Sequence, residues 1–112
     1  MTKVKVFKKG SDFTRITCDG HTGYGVEGED IVCAALSSIV QTASLGMLSV
    51  AGANIHIKRN DKEGFFEIII PEQLPDNVAH DVQVIFATMM CGITDLHEEY
   101  SDFIDLEVCD VL

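Results

Sequence analysis

The chain has 112 residues, of which 46% are hydrophobic and 23% charged, the balance of a single globular domain able to bury about two thirds of its unfolded surface. That excludes a disordered tail and removes any need for disulfide staples. Eight Lys and Arg against eighteen Asp and Glu give a net charge of −10, the wrong sign for a nucleic-acid-binding module or for docking on an anionic membrane; taken alone it speaks only for solubility.

Val4 and Val6 alternate with lysines, and Ile16 and Cys18 carry the alternation on after Gly10-Ser11-Asp12, so the chain opens with a predicted hairpin. The opening MTKVKVFKKG has no apolar run before a small-residue cleavage site, so no leader is expected. The expected compartment is the cytoplasm, where Cys18, Cys33, Cys91 and Cys109 stay reduced. A glycine-rich stretch runs from Gly20 to Gly28, followed by a helix from Glu29 to about Ala51. Ile55 and Ile57, a turn over 60–64, and Phe66, Ile68 and Ile70 predict a second hairpin, closed by Pro71 and Pro75. Asp76 or Asn77 is the expected cap of a second helix, whose stripe is Val78, Val82, Ile85, Met89, Ile93 and Leu96. Ile104, Leu106 and Val108, alternating with Asp105, Glu107 and Cys109, predict the last strand. The order ββαββαβ describes one α/β (α+β) domain over 1–112, with a five-stranded mixed sheet and two helices.

The first helix is unusual, because no charged residue or histidine stands between Asp30 and His56. Ser37, Ser38, Gln41, Thr42, Ser44 and Ser49, with Gly46 and Gly52, argue against a membrane span. A helix without charge all round is covered on several sides. One side is the sheet; another is a partner subunit, which predicts a homodimer, or else the helix is enclosed within one monomer.

The chemistry concentrates between Cys18 and Ser37. Cys33 falls near the start of the first helix, where unpaired N–H groups and the positive end of the dipole favour an anionic sulfur. Asp30, Cys33 and Ser37 stand at i, i+3 and i+7 and share one face. His21 lies in a loop that can fold back and lay its imidazole beside that sulfur, which is what a cysteine nucleophile needs. Glu27, Glu29 and Asp30 oppose a thiolate; a protonated His21 offsets them, and Asp30 could instead hold His21 in its useful tautomer.

Other readings of these residues exist. A cysteine in an apolar helix is commonly just packed. Cys18, His21 and Cys33 could ligate a metal, but no fourth ligand falls at a matching spacing. Redox pairing of Cys18 with Cys33 lacks a C-x-x-C spacing. His56, His80 and His97 read as surface or core-edge residues, and Cys91 and Cys109 as structural thiols.

Gly20-His21, a short glycine-containing loop, then Gly28-Glu29-Asp30-Ile31-Val32-Cys33-Ala34-Ala35 and Ser37, resembles the ribosomal-processing cysteine protease family, also called Prp or the YsxB-like proteins. The likeness runs through the opening hairpin, the uncharged helix, the middle hairpin and the second helix with its acidic end, Glu98-Glu99-Tyr100. It implies a small α/β sandwich, a homodimer and a cysteine endopeptidase without metal or other cofactor. The implied substrate is the precursor of large-subunit ribosomal protein L twenty-seven, cut after a pair of phenylalanines to remove its N-terminal extension. The resemblance assigns Cys33 as nucleophile and His21 as general base, with Gly20, Asp30 and Ser37 in support. Thr22, Gly23, Tyr24, Gly25, Val26, Glu27 and Gly28 form the implied substrate loop, whose glycines would let it close over an extended peptide. Acidity would then steer a basic ribosomal protein toward the enzyme. No nucleic acid or membrane partner is implied. The rival reading from a different class is a non-catalytic acidic module that binds a basic ribosomal protein.

Overall fold

The computed structural model describes residues 1–20 and 29–111, with Glu29 and Asp30 described in their backbone alone. Alternation in the first twenty residues produces two strands, β1 (Thr2–Lys9) and β2 (Asp12–Asp19), paired antiparallel with Val4 opposite Cys18 and Val6 opposite Ile16. Gly10 makes their turn at φ +62, a left-handed conformation that suits a residue without Cβ. Then come α1 (Glu29–Ser49), β3 (His56–Asn60), β4 (Phe65–Ile69), α2 (Asp76–Glu99) and β5 (Ile104–Asp110).

The strands form one sheet in the order β3-β4-β2-β1-β5. Neighbours are antiparallel except β1 and β5, whose parallel pairing makes the sheet mixed. A parallel partner requires a crossover. α2 supplies it, carrying the chain from β4 past β2 and β1 to β5.

Cross-strand partners share a face, so Val4, Val6, Ile16, Cys18 and Ile68 project together from the sheet. Val32, Leu36, Val40 and Met47 of α1 and Val82, Phe86, Met89 and Ile93 of α2 complete the buried cluster with them. The two helices meet through small residues: a Cβ on Gly46 would stand 3.6 Å from Ile85 Cγ2, and one on Gly92 3.4 Å from Ile39 Cγ2. Among the described residues α1 has the length and apolar composition of a membrane span, but its buried stripe is occupied by the sheet and by α2. The outward surface of the helix layer exposes Ile31, Leu45, Leu48, Val50 and Val84.

Several details differ from expectation. α2 begins at Asp76, so neither Asp76 nor Asn77 caps it; the N-cap is Pro75, whose carbonyl accepts from Ala79 N–H at 2.8 Å without any side-chain cap. The Asp76 carboxylate acts instead on the dipole from the first turn. α1 ends at Ser49, and Ala51 N–H returns to Gly46 O at 3.0 Å. Ile55 and Ile70 flank β3 and β4 rather than belonging to them. The stripe of α2 omitted Phe86, which is fully buried and stacks on Phe13 at 4.6 Å between ring centroids. Cys91 is exposed on α2, so it is not a packed thiol.

Candidate active site

Cys33 is the fifth residue of α1, at the passage from its first turn to its second. Its neighbour Val32 is in the core at 3% exposed, and this fixes the rotation of the helix. Cys33 is thereby turned, half-buried, into a cavity of about 190 Å³ between α1 and the β3–β4 hairpin. Leu36, Ser37, Val40 and Gln41 continue its wall along α1; Cys18 and Gly20 come from the end of β2; Arg59 to Asp61 and Gly64 to Phe66 come from the hairpin. The site thus has an aromatic and aliphatic lining with polar groups among it, suited to an extended peptide segment carrying bulky side chains.

Cys33 and Ser37 do share this cavity, as their spacing predicts. The Ser37 hydroxyl is exposed and accepts a hydrogen bond from Gln41 Nε2 at 2.7 Å. Gly20 is required by close approach: at φ +138, a Cβ there would fall 2.6 Å from Met1 O and 3.0 Å from Thr2 Cα. Its N–H donates to Gly64 O at 3.2 Å, tying the end of β2 to the second hairpin. His21 and the loop residues Thr22, Gly23, Tyr24, Gly25, Val26, Glu27 and Gly28 lie outside the described residues, as does the Asp30 side chain. Gly20, just before that stretch, and Cys33, shortly after it, both line the cavity.

The four cysteines are all thiols, and their surroundings distinguish them. Cys18 is 8% exposed, and burial pushes its thiol up to about 12, which opposes its use as a thiolate in a metal site or a redox pair. Among the described residues no three His, Cys, Asp or Glu side chains cluster as a metal site would require. Cys109 on β5 is raised by burial and then by Glu107. His56 and His80 are exposed, His80 with Nδ1 3.3 Å from Asp81 Oδ1, and His97 is half-buried.

Sequence reasoning missed Thr2. Its Oγ1 lies 3.3 Å from Cys33 Sγ, and the residue is 5% exposed. The signal was present, since Thr2 has the same parity as Val4 and Val6 and must point with them toward the helices. Phe65 was also missed as a lining residue, because a strand start beside a turn carries no mark of a cavity.

A half-buried thiol near a helix start, in the wall of a cavity, is the arrangement a small cysteine hydrolase needs. The comparisons with known proteins agree. The model of the family described as cysteine protease Prp matches residues 1–105. The ribosomal processing cysteine protease Prp of Staphylococcus aureus strain Mu50 is 29% identical over 93 residues, covering 83% of this chain and 84% of that protein. The protein of the same name from Bacillus subtilis strain 168 is 24% identical over 83 residues, 74% of each chain. Among solved structures, the Staphylococcus aureus protease in complex with a substrate peptide superposes with a TM-score of 0.85 at 26% identity, covering 96% of this chain and 99% of that one. A Streptococcus mutans protein superposes at 0.87 with 22% identity, covering 99% and 96%, and speaks for the fold alone. The chain belongs to the cysteine protease Prp family and is a cysteine protease. That sets aside the reading as a non-catalytic binding module.

Proposed function

We propose that this chain is a ribosomal-processing endopeptidase that removes the N-terminal extension of the large-subunit ribosomal protein L twenty-seven precursor, with Cys33 as nucleophile and His21 as general base. The observation that carries this reading is the placement of Cys33: half-buried near the start of α1, in a cavity lined by Leu36, Val40 and Phe66. The names of the two relatives as ribosomal processing proteases support the substrate class. A Phe-Phe pair at the cut site would meet a lining of matching apolar character.

In this mechanism His21 takes the thiol proton, and Cys33 Sγ attacks the scissile carbonyl. The tetrahedral intermediate collapses to a thioester as the leaving amine receives the proton from His21. Water, deprotonated by His21, then hydrolyses the thioester and restores the thiol. Backbone N–H groups at the start of α1 would stabilise the oxyanion. Asp30 and Ser37 support the dyad, Asp30 by orienting His21 and Ser37 from the rim beside Cys33. The enzyme works in the cytoplasm as a homodimer, and its charge of −10 attracts a basic substrate.

The test is incubation with a peptide spanning the extension and the cut site, with product masses read out. One cut after the Phe-Phe pair is expected. Cys33→Ala should lower the rate by more than about a hundredfold while keeping the fold, since Ala suits a helix. His21→Ala should be similarly damaging and Asp30→Asn milder. A Cys33→Ala protein that still cleaves would refute the nucleophile.

A further inference from the structure

We propose that Thr2 is a positioning residue for the Cys33 sulfur, its hydroxyl donating a hydrogen bond to the thiolate and fixing the direction in which that anion points. The inference rests on Cys33 being the nucleophile. Thr2 Oγ1 and Cys33 Sγ stand 3.3 Å apart although 31 residues separate them in the chain. Two further contacts hold Thr2 there. Its N–H donates to Phe103 O at 3.0 Å, and it stands opposite Ile104 in the parallel β1–β5 pair. On the other side, Gly20 makes room for it, since a Cβ on Gly20 would come within 3.0 Å of Thr2 Cα.

The choice of residue is informative. Thr2, Val4 and Val6 form one inward row of β-branched side chains, all at most 5% exposed. Valine would pack at the first position as well as it does at the other two. A buried hydroxyl costs free energy unless it is hydrogen-bonded, and here the sulfur is its partner. A thiol is a weak acceptor, whereas hydrogen bonds to an ionised acceptor are about twice as strong as neutral ones. In the thiol state either atom can donate; once the sulfur is a thiolate the hydroxyl must. The bond is therefore strongest in the state that attacks and weakens when the sulfur becomes a neutral thioester. The Thr2 proton stays on its oxygen throughout, while the Cys33 proton leaves for His21. Cys18, Arg59 and Asp61 also line the cavity and are unchanged in every variant below.

The experiment follows iodoacetamide alkylation of Cys33 against pH, read at that site by peptide mass spectrometry, in the wild type, Thr2→Val, Thr2→Ser and Thr2→Ala. Thr2→Val should move the midpoint of the profile up by about one pH unit and slow alkylation at neutral pH about tenfold. Thr2→Ser should restore both. Cleavage of the substrate peptide should lose kcat in Thr2→Val with KM within about twofold, as for a bond that acts on the nucleophile and touches no part of the substrate. Thr2→Ser and Thr2→Ala differ by the hydroxyl alone and repeat the comparison should Thr2→Val not fold. Coincident profiles for hydroxyl-bearing and hydroxyl-free variants overturn the inference. With Cys33→Ala inactive, that result removes the role of Thr2 alone; an active Cys33→Ala protein removes the nucleophile and the inference together.

Discussion

At the level of single residues, Gly20 and Cys18 show how tightly the end of β2 is specified. Gly20→Ala would drive a methyl group into the backbone of Met1 and Thr2 at a positive φ, so either β1 or β2 must shift. We expect a loss of about 2 kcal/mol or more in urea unfolding, in the range of strained backbone positions, and a disproportionate loss of cleavage because Cys33 rests against the displaced segment. Cys18 gives a pH dependence whose sign follows from its burial. Its thiol ionises near the ordinary 9.0 when unfolded and near about 12 when folded. Only the unfolded chain releases the proton between those values, so the contribution is intact below pH 9.0 and is lost as the pH rises toward about 12. Melting temperatures should fall between about pH 9 and about pH 12 in the wild type, and Cys18→Val should flatten that slope. An unchanged slope in Cys18→Val would place the effect elsewhere.

At the level of elements, α1 and α2 touch through glycine on each side, Gly46 under Ile85 and Gly92 under Ile39. The two positions differ in tolerance. A methyl on Gly46 meets Ile85 at ordinary contact distance, 3.6 Å, so Gly46→Ala should stabilise the protein by about 0.5–1 kcal/mol in urea unfolding through helix propensity alone. The elements themselves were readable from the sequence, because period-two alternation in β1, β2 and β5 and the stripe of α2 are signals written in neighbouring residues. What could not be read were features made by distant ones. Phe86 itself fits the helical spacing between Val82 and Met89, but its stacking on Phe13 brings together residues far apart in the chain. The same division holds for the site. Cys33, Ser37 and Gly20 were legible as a local motif, whereas Thr2 joins Cys33 only through the fold, and His21 is assigned by motif alone.

At the level of the whole molecule, the helix layer has one face on the sheet and one that exposes Ile31, Leu45, Leu48 and Val84, and α1 carries no charged residue after Asp30. An apolar surface of this kind is usually an interface, and a second copy of the chain is the partner proposed here. Sedimentation at micromolar concentration should give about twice the 12.3 kDa of one chain, and Leu45→Lys should return it to monomer. A wild-type monomer at high concentration would contradict the dimer. The parallel β1–β5 pair bears on a different matter, the order in which the molecule comes into being. Among the described strands β1 is made first and β5 last, yet Thr2 receives its backbone partner from Phe103, just ahead of β5. Closing so long a loop is slow. A nascent chain can therefore build its hairpins and α1 early and still lack the fixed wall behind Cys33. The wall behind Cys33 is thus completed only once the residues ahead of β5 have been made, so the folding of the site waits on a distant part of the chain.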